Sequence, residues 1–211
     1  LALALALNIA RRIPQADRYL RDGKWPAGPM PLATKLSGAR MGIVGMGRIG
    51  QAIAERARAF GMRIAYTARS AKPELPYTFH DQVTALAAQS HFLVVITPGG
   101  AATRKLIDAP VLAALGPKGY LINVARGSVV DETALIAALQ AGTIAGAALD
   151  VFENEPQVPE ALRALDNVVL TPHIGSATTA TRHAMANLAF ENLRTFFAGQ
   201  TPPTPVPECR T

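Results

Sequence analysis

The stretch MGIVGMGRIG, residues 41–50, decides the fold, because it joins an apolar strand to a helix through three spaced glycines. The pattern predicts a strand over 41–46 and a helix from Arg48 to Phe60. In a G-x-G-x-x-G motif placed this way, the first glycine permits a tight turn and the second lets backbone approach a pyrophosphate; the third lets the helix pack on the strand. The alternative is a glycine turn without a ligand. The motif predicts a dinucleotide-binding loop formed by Gly45, Gly47, Arg48, Ile49 and Gly50.

Further strands follow along the chain as nearly continuous apolar runs, with helical segments between them. Strands that are apolar on both faces are typical of a parallel sheet covered by helices on each side. The sequence therefore predicts an α/β fold, a Rossmann-type doubly wound parallel sheet, in a nucleotide-binding domain over residues 35–175. The predicted strands after the first are 62–67, 91–97, 119–125, 144–151 and 167–171.

Cap and stop signals place the helices between these strands. Asp108 and Asp131 are expected to cap the N-termini of two helices through their carboxylates. Gly61 and Gly142 are expected to end helices in the left-handed conformation that glycine adopts readily. A shorter helix is predicted over 81–89, where the signals are weaker.

Two helical segments flank this domain, one near residues 1–20 and one near 178–198. Each has an apolar face and neither has an obvious core of its own, so a second domain or a partner subunit is expected to cover them. The segments 22–35 and 201–211 are rich in proline and are expected to be irregular. The chain begins with Leu1 rather than Met, which favours its being part of a longer protein.

Composition excludes several classes of protein. The 211 residues include 49% hydrophobic and 17% charged residues, as is typical of a globular chain. The net charge of +6 comes from basic residues that are scattered along the sequence, and only 6% of all residues are aromatic. Nucleic acid is therefore not an expected partner. No apolar run reaches the roughly 18 residues of a membrane span. The single cysteine, Cys209, excludes an internal disulfide framework and is assigned no chemistry. No metal site is expected, because His80, His91 and His183 lack the spacing of metal ligands.

The residues that end the second predicted strand indicate which dinucleotide is preferred, because this position contacts the adenosine ribose. No acidic residue stands there to bind a ribose 2′-hydroxyl. Arg69 and Lys72 can instead pair with a 2′-phosphate, and Ser70 can donate a hydrogen bond to it. The sequence therefore favours NADPH over NADH. If Arg69 were only a solvated loop charge, the preference would be mixed and NAD would also serve.

Three further polar residues, Arg126, Glu155 and His173, follow predicted strands at their carboxyl ends. Ligands of open α/β sheets bind at this edge. Arg126 can hold a substrate carboxylate with two hydrogen bonds, and His173 can donate a proton to an alkoxide that hydride transfer forms. Glu155 can pair with His173, orient it and favour its charged form. The trio predicts reduction of a 2-keto acid, although each residue alone could be an ordinary loop or packing residue.

These residues resemble the D-isomer-specific 2-hydroxyacid dehydrogenases over almost the whole chain. The resemblance rests on GMGRIG (45–50), LINVARGSVVDETAL (121–135), LDVFENEP (149–156) and TPHIGS (171–176). It implies that Arg126, Glu155 and His173 are the catalytic residues. It also implies cofactor contacts by five more residues, with Asp150, Val124 and Gly175 at the nicotinamide end and Thr97 and Pro98 on the adenine side.

Within this family, the stretches ARSAKP (68–73) and ALGPKG (114–119) are most similar to NADPH-dependent reductases of hydroxypyruvate, glyoxylate or hydroxyphenylpyruvate. The resemblance implies a cytoplasmic homodimer that reduces a small 2-keto acid to a D-2-hydroxy acid. It also implies that the helix near 1–20 lies between domains and helps to build the dimer, and that the helix near 178–198 packs toward a substrate domain. Family members begin with that substrate domain, which has no counterpart here, so the chain is expected to bind cofactor but to catalyse poorly.

Two other functions remain open at this point. The same family resembles transcriptional corepressors, so the chain could be a catalytically silent protein that senses dinucleotide and binds a protein partner. A relative of formate dehydrogenase is a third interpretation, although nothing in the sequence specifies the pocket that formate would need. The complete set of Arg126, Glu155 and His173 favours the reductase.

Overall fold

The computed structural model describes residues 1–206 and divides the chain into two units, Leu1–Pro172 and His173–Thr211. The first unit contains a β-sheet, and the second contains one long helix. Cys209, for which the sequence predicts no chemistry, lies outside the described residues, as does the rest of the tail from residue 207 onward.

Seven parallel strands form one sheet in the first unit, in the order β3-β2-β1-β4-β5-β6-β7. The chain runs outward from β1 to β3, then crosses back to β4 on the other side of β1. The carboxyl ends of β1 and β4 therefore flank the switch point where open α/β sheets bind ligands. This confirms the doubly wound parallel fold. The strands are β1 Arg40–Val44, β2 Arg63–Thr67, β3 Thr78–Phe79, β4 Phe92–Val95, β5 Tyr120–Asn123, β6 Gly146–Leu149 and β7 Val168–Leu170.

All six predicted strands are present, with ends that differ by a few residues, and β3 is an addition. It pairs Thr78 with Ala65 and Phe79 with Tyr66 of β2. A strand of two residues carries no periodic pattern, so the sequence could not reveal it.

Helices cover both faces of the sheet, because alternate residues of each strand point to opposite sides. On β4, Phe92 and Val94 join the cluster that includes α1 and α3, whereas Leu93 and Val95 join the cluster of α4, α5 and α6. All four side chains are fully buried. The helices of this unit are α1 Ala2–Arg11, α2 Ile13–Arg21, α3 Arg48–Ala59, α4 Val83–Ala88, α5 Ala109–Leu115, α6 Glu132–Gln140 and α7 Glu160–Arg163.

The predicted caps and stops are confirmed. Asp108 accepts a hydrogen bond from the N–H of Val111 at 3.1 Å, and Asp131 accepts one from Ala134 at 3.2 Å. Gly61 and Gly142 follow α3 and α6 with φ of 73° and 68°.

The segment predicted as one helix over 1–20 is two helices, separated at Arg12, which has φ 53°. Pro14 explains the break, since it has no N–H to donate to the carbonyl of Ala10 and its ring would clash with that carbonyl. The N–H of Thr34 donates to the Ala10 carbonyl instead, at 2.9 Å. The segment 22–35 is otherwise irregular, as predicted, apart from a 3-10 turn over Trp25–Ala27.

Helix α1 does have a core, contrary to the expectation that another domain or subunit would have to supply one. Leu5 and Ile9 are 2% and 4% exposed, and α1 contacts β5, β6 and β7. The alternating Leu and Ala residues place small side chains where the helix lies against the sheet, which lets the two approach closely. Helix α1 therefore covers one face of the nucleotide-binding sheet.

The second unit contains α8, Thr179–Phe197, within a residue or two of the predicted bounds. Thr178 caps it by accepting a hydrogen bond from the N–H of Thr181 at 3.2 Å. No residue of α8 is buried, and its exposed apolar side chains include Phe190, Leu193, Phe196 and Phe197. Among residues 1–206, no helix combines the length and the apolar character needed to cross a bilayer.

Candidate active site

Close packing within the protein requires glycine at two positions of the motif. Gly45 has φ 106°, and a Cβ there would lie 2.9 Å from the backbone nitrogen of Thr97. A Cβ on Gly50 would lie 2.1 Å from the carbonyl oxygen of Gly45. The turn after β1 therefore packs against both the end of β4 and the first turn of α3, and a side chain at either position would force them apart.

Gly47 is different, because a Cβ built on it meets nothing within 4 Å. Its φ of −79° and ψ of −166° are ordinary extended values, and it caps α3 without a side-chain hydrogen bond. Neither packing nor backbone conformation explains a glycine here. The space in front of Gly47 faces the start of α3, whose first N–H groups and helix dipole favour an anion. The residues present thus fit the pyrophosphate of a dinucleotide.

The turn after β2 carries Arg69, Ser70 and Lys72, the residues predicted to hold a 2′-phosphate. Arg69 and Ser70 are exposed, and within residues 1–206 the Arg69 guanidinium forms no ion pair or hydrogen bond. Tyr66 holds the turn in place: its buried hydroxyl accepts a hydrogen bond from the Lys72 N–H at 2.7 Å. From the sequence, Tyr66 is predicted only to lie in a strand. A tyrosine near the end of a buried strand needs a hydrogen-bond partner for its hydroxyl. This requirement is the feature of the sequence that could have indicated a role for Tyr66 in holding the turn.

The loop after β4 contains Thr97 and Pro98 and lies against Arg126. The hydroxyl of Thr103 donates to the Pro98 carbonyl at 2.7 Å, which closes the loop on itself. A Cβ on Gly99 would lie 3.0 Å from Cγ of Arg126, so the arginine stem lies directly on this glycine. The structure thus brings Thr97, Pro98 and Arg126 to one edge of the sheet.

Asn123, the last residue of β5, fixes the backbone that leads to Arg126. Its side chain is buried; Oδ1 accepts from the Ala125 N–H at 3.0 Å, and Nδ2 donates to the Arg126 carbonyl at 3.1 Å. Val124 donates its N–H to the Val95 carbonyl, which ties this turn to β4. Asn123 is not among the site residues predicted from the sequence. A single amide side chain at the end of an apolar strand nevertheless indicates a buried polar group that must form hydrogen bonds.

The loop after β6 carries Asp150 and Glu155. Asp150 is 2% exposed, and its Oδ1 accepts a hydrogen bond from the hydroxyl of Thr171 at 2.6 Å. Glu155 turns back on its own loop, where Oε1 accepts from the Phe152 N–H at 3.0 Å. This loop also packs tightly on the turn after β5, because a Cβ on Gly127 would lie 1.9 Å from the Phe152 carbonyl. Arg126 and Glu155 therefore stand on loops that touch.

Charged residues also connect the loops after β4, β5 and β6. Arg104 bonds Glu153 at 3.3 Å, and Lys105 bonds Asp131 at 3.0 Å and lowers the pKa of that carboxyl group. Glu132, at the start of α6, accepts from the Glu153 N–H at 3.3 Å. Burial raises the pKa of Glu132, and this effect outweighs the hydrogen bond from Glu153.

His173 and Gly175 belong to the second unit. His173 is exposed and has φ 52°, an uncommon backbone conformation for a residue with a side chain. Its closeness to Arg126 and Glu155 stays a prediction. Within residues 1–206, no group of three or more His, Cys, Asp or Glu side chains could hold a metal ion.

Comparison with known proteins identifies the family. The model of the D-isomer specific 2-hydroxyacid dehydrogenase NAD-binding domain matches residues 3–175. Glyoxylate/hydroxypyruvate reductase A of Arabidopsis thaliana is 52% identical over 98% of this chain, and hydroxyphenylpyruvate reductase of Plectranthus scutellarioides is 51% identical over 98%. The chain spans 66% of the length of each of these relatives.

A solved structure extends the comparison. An NADPH-dependent glyoxylate/hydroxypyruvate reductase from Sinorhizobium meliloti, in complex with NADP and malonate, superposes with a TM-score of 0.94 at 52% identity. The match covers 98% of this chain and 66% of that one. The chain belongs to the D-isomer-specific 2-hydroxyacid dehydrogenases and contains their NAD-binding domain.

Proposed function

We propose that this chain is the cofactor-binding and catalytic part of an NADPH-dependent reductase that converts a small 2-keto acid to a D-2-hydroxy acid. One observation carries the proposal. The loops after β4, β5 and β6 interlock so that Arg126 and Glu155 stand at the same edge of the sheet as the open space in front of Gly47. The relatives named as glyoxylate/hydroxypyruvate reductases support the substrate class.

The proposed cofactor contacts follow the edge of the sheet. Gly45, Gly47 and Gly50, with the N–H groups of Arg48 and Ile49, would hold the pyrophosphate, and Arg69, Ser70 and Lys72 the 2′-phosphate. Thr97 and Pro98 would support the adenine side, with Val124, Asp150 and Gly175 at the nicotinamide end. When bound, NADPH supplies the hydride. The free guanidinium of Arg69 favours NADPH, while NAD could bind with lower affinity.

The proposed chemistry divides among three side chains. Arg126 would bind the substrate carboxylate through two parallel hydrogen bonds and polarise the neighbouring ketone. His173 would give its proton to the ketone oxygen as negative charge develops there. Glu155 would pair with the imidazole and keep it charged and correctly oriented. Its bond with the Phe152 N–H holds Glu155 beside the turn of Arg126.

The proposed domain organisation is an NAD(P)-binding domain over 35–175, an interdomain and dimer segment near 1–20 in which α1 covers the sheet and α2 follows it, and a helix near 178–198 that packs toward a substrate domain. The homodimer is supported by exposed apolar side chains, Leu20 on α2 and Trp25 and Leu32 in the segment that follows it. The cytoplasm is the proposed location, because a reductase there would draw on the NADPH of the cell.

The corepressor-like alternative gains no support from the relatives described above, which are named as reductases. The two functions differ in one measurable property. A sensor would bind NADPH without turnover, whereas a reductase would oxidise it in the presence of a keto acid.

The test is NADPH oxidation, followed by absorbance, in the natural protein that contains this chain. Glyoxylate, hydroxypyruvate and hydroxyphenylpyruvate serve as substrates, each with NADPH and with NADH. We expect turnover with at least one, faster with NADPH, and a product of D configuration. Arg126→Gln should lower kcat/KM by about 10²–10³, whereas Arg163→Gln, at an exposed arginine of α7, should not. NADPH binding without turnover on any of the three acids would contradict the proposal.

A further inference from the structure

Glu132 is a buried carboxylate that the proposed chemistry does not use. Glu132 is 9% exposed although it is the first residue of α6. At that position an acidic side chain can interact favourably with the helix dipole while it remains fully solvated. Asp131 already caps the same helix through the Ala134 N–H. Neither the cap nor the dipole requires Glu132 to be buried, and burying a carboxylate is costly unless it is bonded. Its position therefore needs another explanation.

The side chain of Glu132 reaches the peptide bond between Phe152 and Glu153. Its Oε2 accepts the Glu153 N–H at 3.3 Å, while the preceding N–H, of Phe152, donates to Glu155 Oε1 at 3.0 Å. Two consecutive N–H groups thus bind two different carboxylates, one from α6 and one from the loop itself. Only φ and ψ of Phe152 separate these two N–H groups, so holding the second restricts the direction of the first.

The same peptide bond also touches the turn of Arg126. A Cβ on Gly127 would lie 1.9 Å from the Phe152 carbonyl and 2.3 Å from the Glu153 nitrogen. Gly127 follows Arg126 directly, so any shift of this peptide bond would be passed to Arg126 and to Glu155 together. The Phe152–Glu153 peptide is a shared support for two proposed catalytic residues.

We propose that Glu132 is a positioning residue for this site, holding the Phe152–Glu153 peptide and so setting Glu155 relative to Arg126. The inference rests on the proposed reductase activity for its effect on rate. The structural part of the inference, that Glu132 holds the loop after β6 in place, does not depend on that activity. Placement errors near 1 Å can cost on the order of 10²-fold in rate, so a single hydrogen bond can matter here.

Two substitutions separate the hydrogen bond from the charge. Glu132→Gln keeps an oxygen that can accept the Glu153 N–H but has no charge, whereas Glu132→Met fills a similar volume with almost no acceptor. Glu160→Ala is the matched control, because Glu160 is likewise the first residue of a helix but is exposed. We expect Glu132→Met to lower kcat for keto acid reduction about tenfold or more, with the NADPH Kd unchanged. Glu132→Gln and Glu160→Ala should stay within about threefold of the original chain.

Amide hydrogen exchange gives a readout that needs no turnover. Exchange at Glu153 should accelerate in Glu132→Met and stay slow in Glu132→Gln. If the unmodified protein reduces no keto acid, the proposed function fails while this exchange pattern still tests the hold on the loop. Equal kcat values in the Met and Gln variants, with the unmodified protein active, would overturn the positioning role. Equal Glu153 exchange in the two variants would overturn the structural part as well.

Discussion

The two halves of the candidate site are built in different ways. The half after β1 is made of backbone: two glycines are required by close approach, and a third leaves open space at the start of α3. The half formed by the loops after β4, β5 and β6 is held by buried polar side chains, among them Asn123, Glu132 and Asp150. The first half suits a phosphate group that needs N–H donors. The second half suits side chains that must keep fixed positions during chemistry.

This difference implies a division of tasks. Damage to the glycine half should reduce cofactor binding, whereas damage to the interlocked loops should reduce turnover and leave the cofactor bound. The contact between Gly45 and the end of β4 joins the halves, so a few substitutions will affect both.

The largest expected effect is on turnover alone. His173→Ala in the natural protein should lower kcat by about 10²–10⁴, because the ketone oxygen would lose its proposed proton donor. The NADPH Kd should remain within a factor of about two, since the substitution leaves the proposed pyrophosphate contacts untouched. Steady-state kinetics and an NADPH titration check both values. Unchanged turnover would remove His173 from the proposed chemistry; His183→Ala, at an exposed histidine of α8, is the control.

The next effect separates two glycines of one motif. Gly50→Ala should destabilise the fold by about 1–3 kcal/mol or more, because its Cβ would meet the Gly45 carbonyl oxygen at 2.1 Å. Gly47→Ala should cost only about 1 kcal/mol of stability, because alanine is a poorer N-cap than glycine. It should weaken NADPH binding about tenfold or more, because its Cβ enters the space proposed for the pyrophosphate. Thermal unfolding without cofactor and NADPH titration measure the two properties. A stable Gly47→Ala chain with full NADPH affinity would contradict the cofactor site.

Arg69→Asp tests the choice of dinucleotide within the first half. The substitution replaces a cation beside the proposed 2′-phosphate by an anion that can bind a ribose 2′-hydroxyl. Charge-assisted hydrogen bonds contribute about 1.5–3 kcal/mol, so the NADPH/NADH affinity ratio should fall at least about tenfold. Arg58→Asp, at an exposed arginine of α3, provides the charge control. An unchanged ratio would show that Arg69 is only a solvated loop charge.

The smallest effect concerns pH and stability. Burial raises the folded-state pKa of Glu132, so the stability it contributes is complete below its unfolded pKa and is lost as the pH rises through the folded value. Glutamine has no proton to lose. The Tm of Glu132→Gln minus that of the unmodified chain should therefore increase as the pH is raised from about 4 toward neutrality. A difference that is constant over this range, or that decreases, would show that the carboxylate is not desolvated.

The fold and the first half of the site could be predicted because their signals are local. Continuous apolar strands, Asp caps and glycine spacing lie within a few residues of each other, and each has one physical meaning. The break at Arg12 was also available from Pro14, whose missing N–H ends the α-helical hydrogen bonding. The two-residue strand β3 was not, since pairing with β2 rather than any pattern of its own defines it.

The supports of the second half were harder to predict because they join distant parts of the chain. Glu132 and Glu153 are 21 residues apart, and nothing in DETAL or DVFEN indicates that they meet. The packing of α1 on the sheet is likewise a tertiary contact that the sequence does not reveal. The apolar face of a helix has the same sequence pattern whether its own domain or another one covers it. The types of side chain in the sequence indicate the candidate catalytic residues, but they do not indicate the residues that hold them in place.

The most direct test of the central claim, that the edge of this sheet is a dinucleotide site built for NADPH, is a fluorescence titration of the 211-residue chain with NADPH and with NADH. The account predicts saturable binding of both, with NADPH bound at least about tenfold more tightly through Arg69, Ser70 and Lys72. Equal affinities, or no binding of either cofactor, would contradict it.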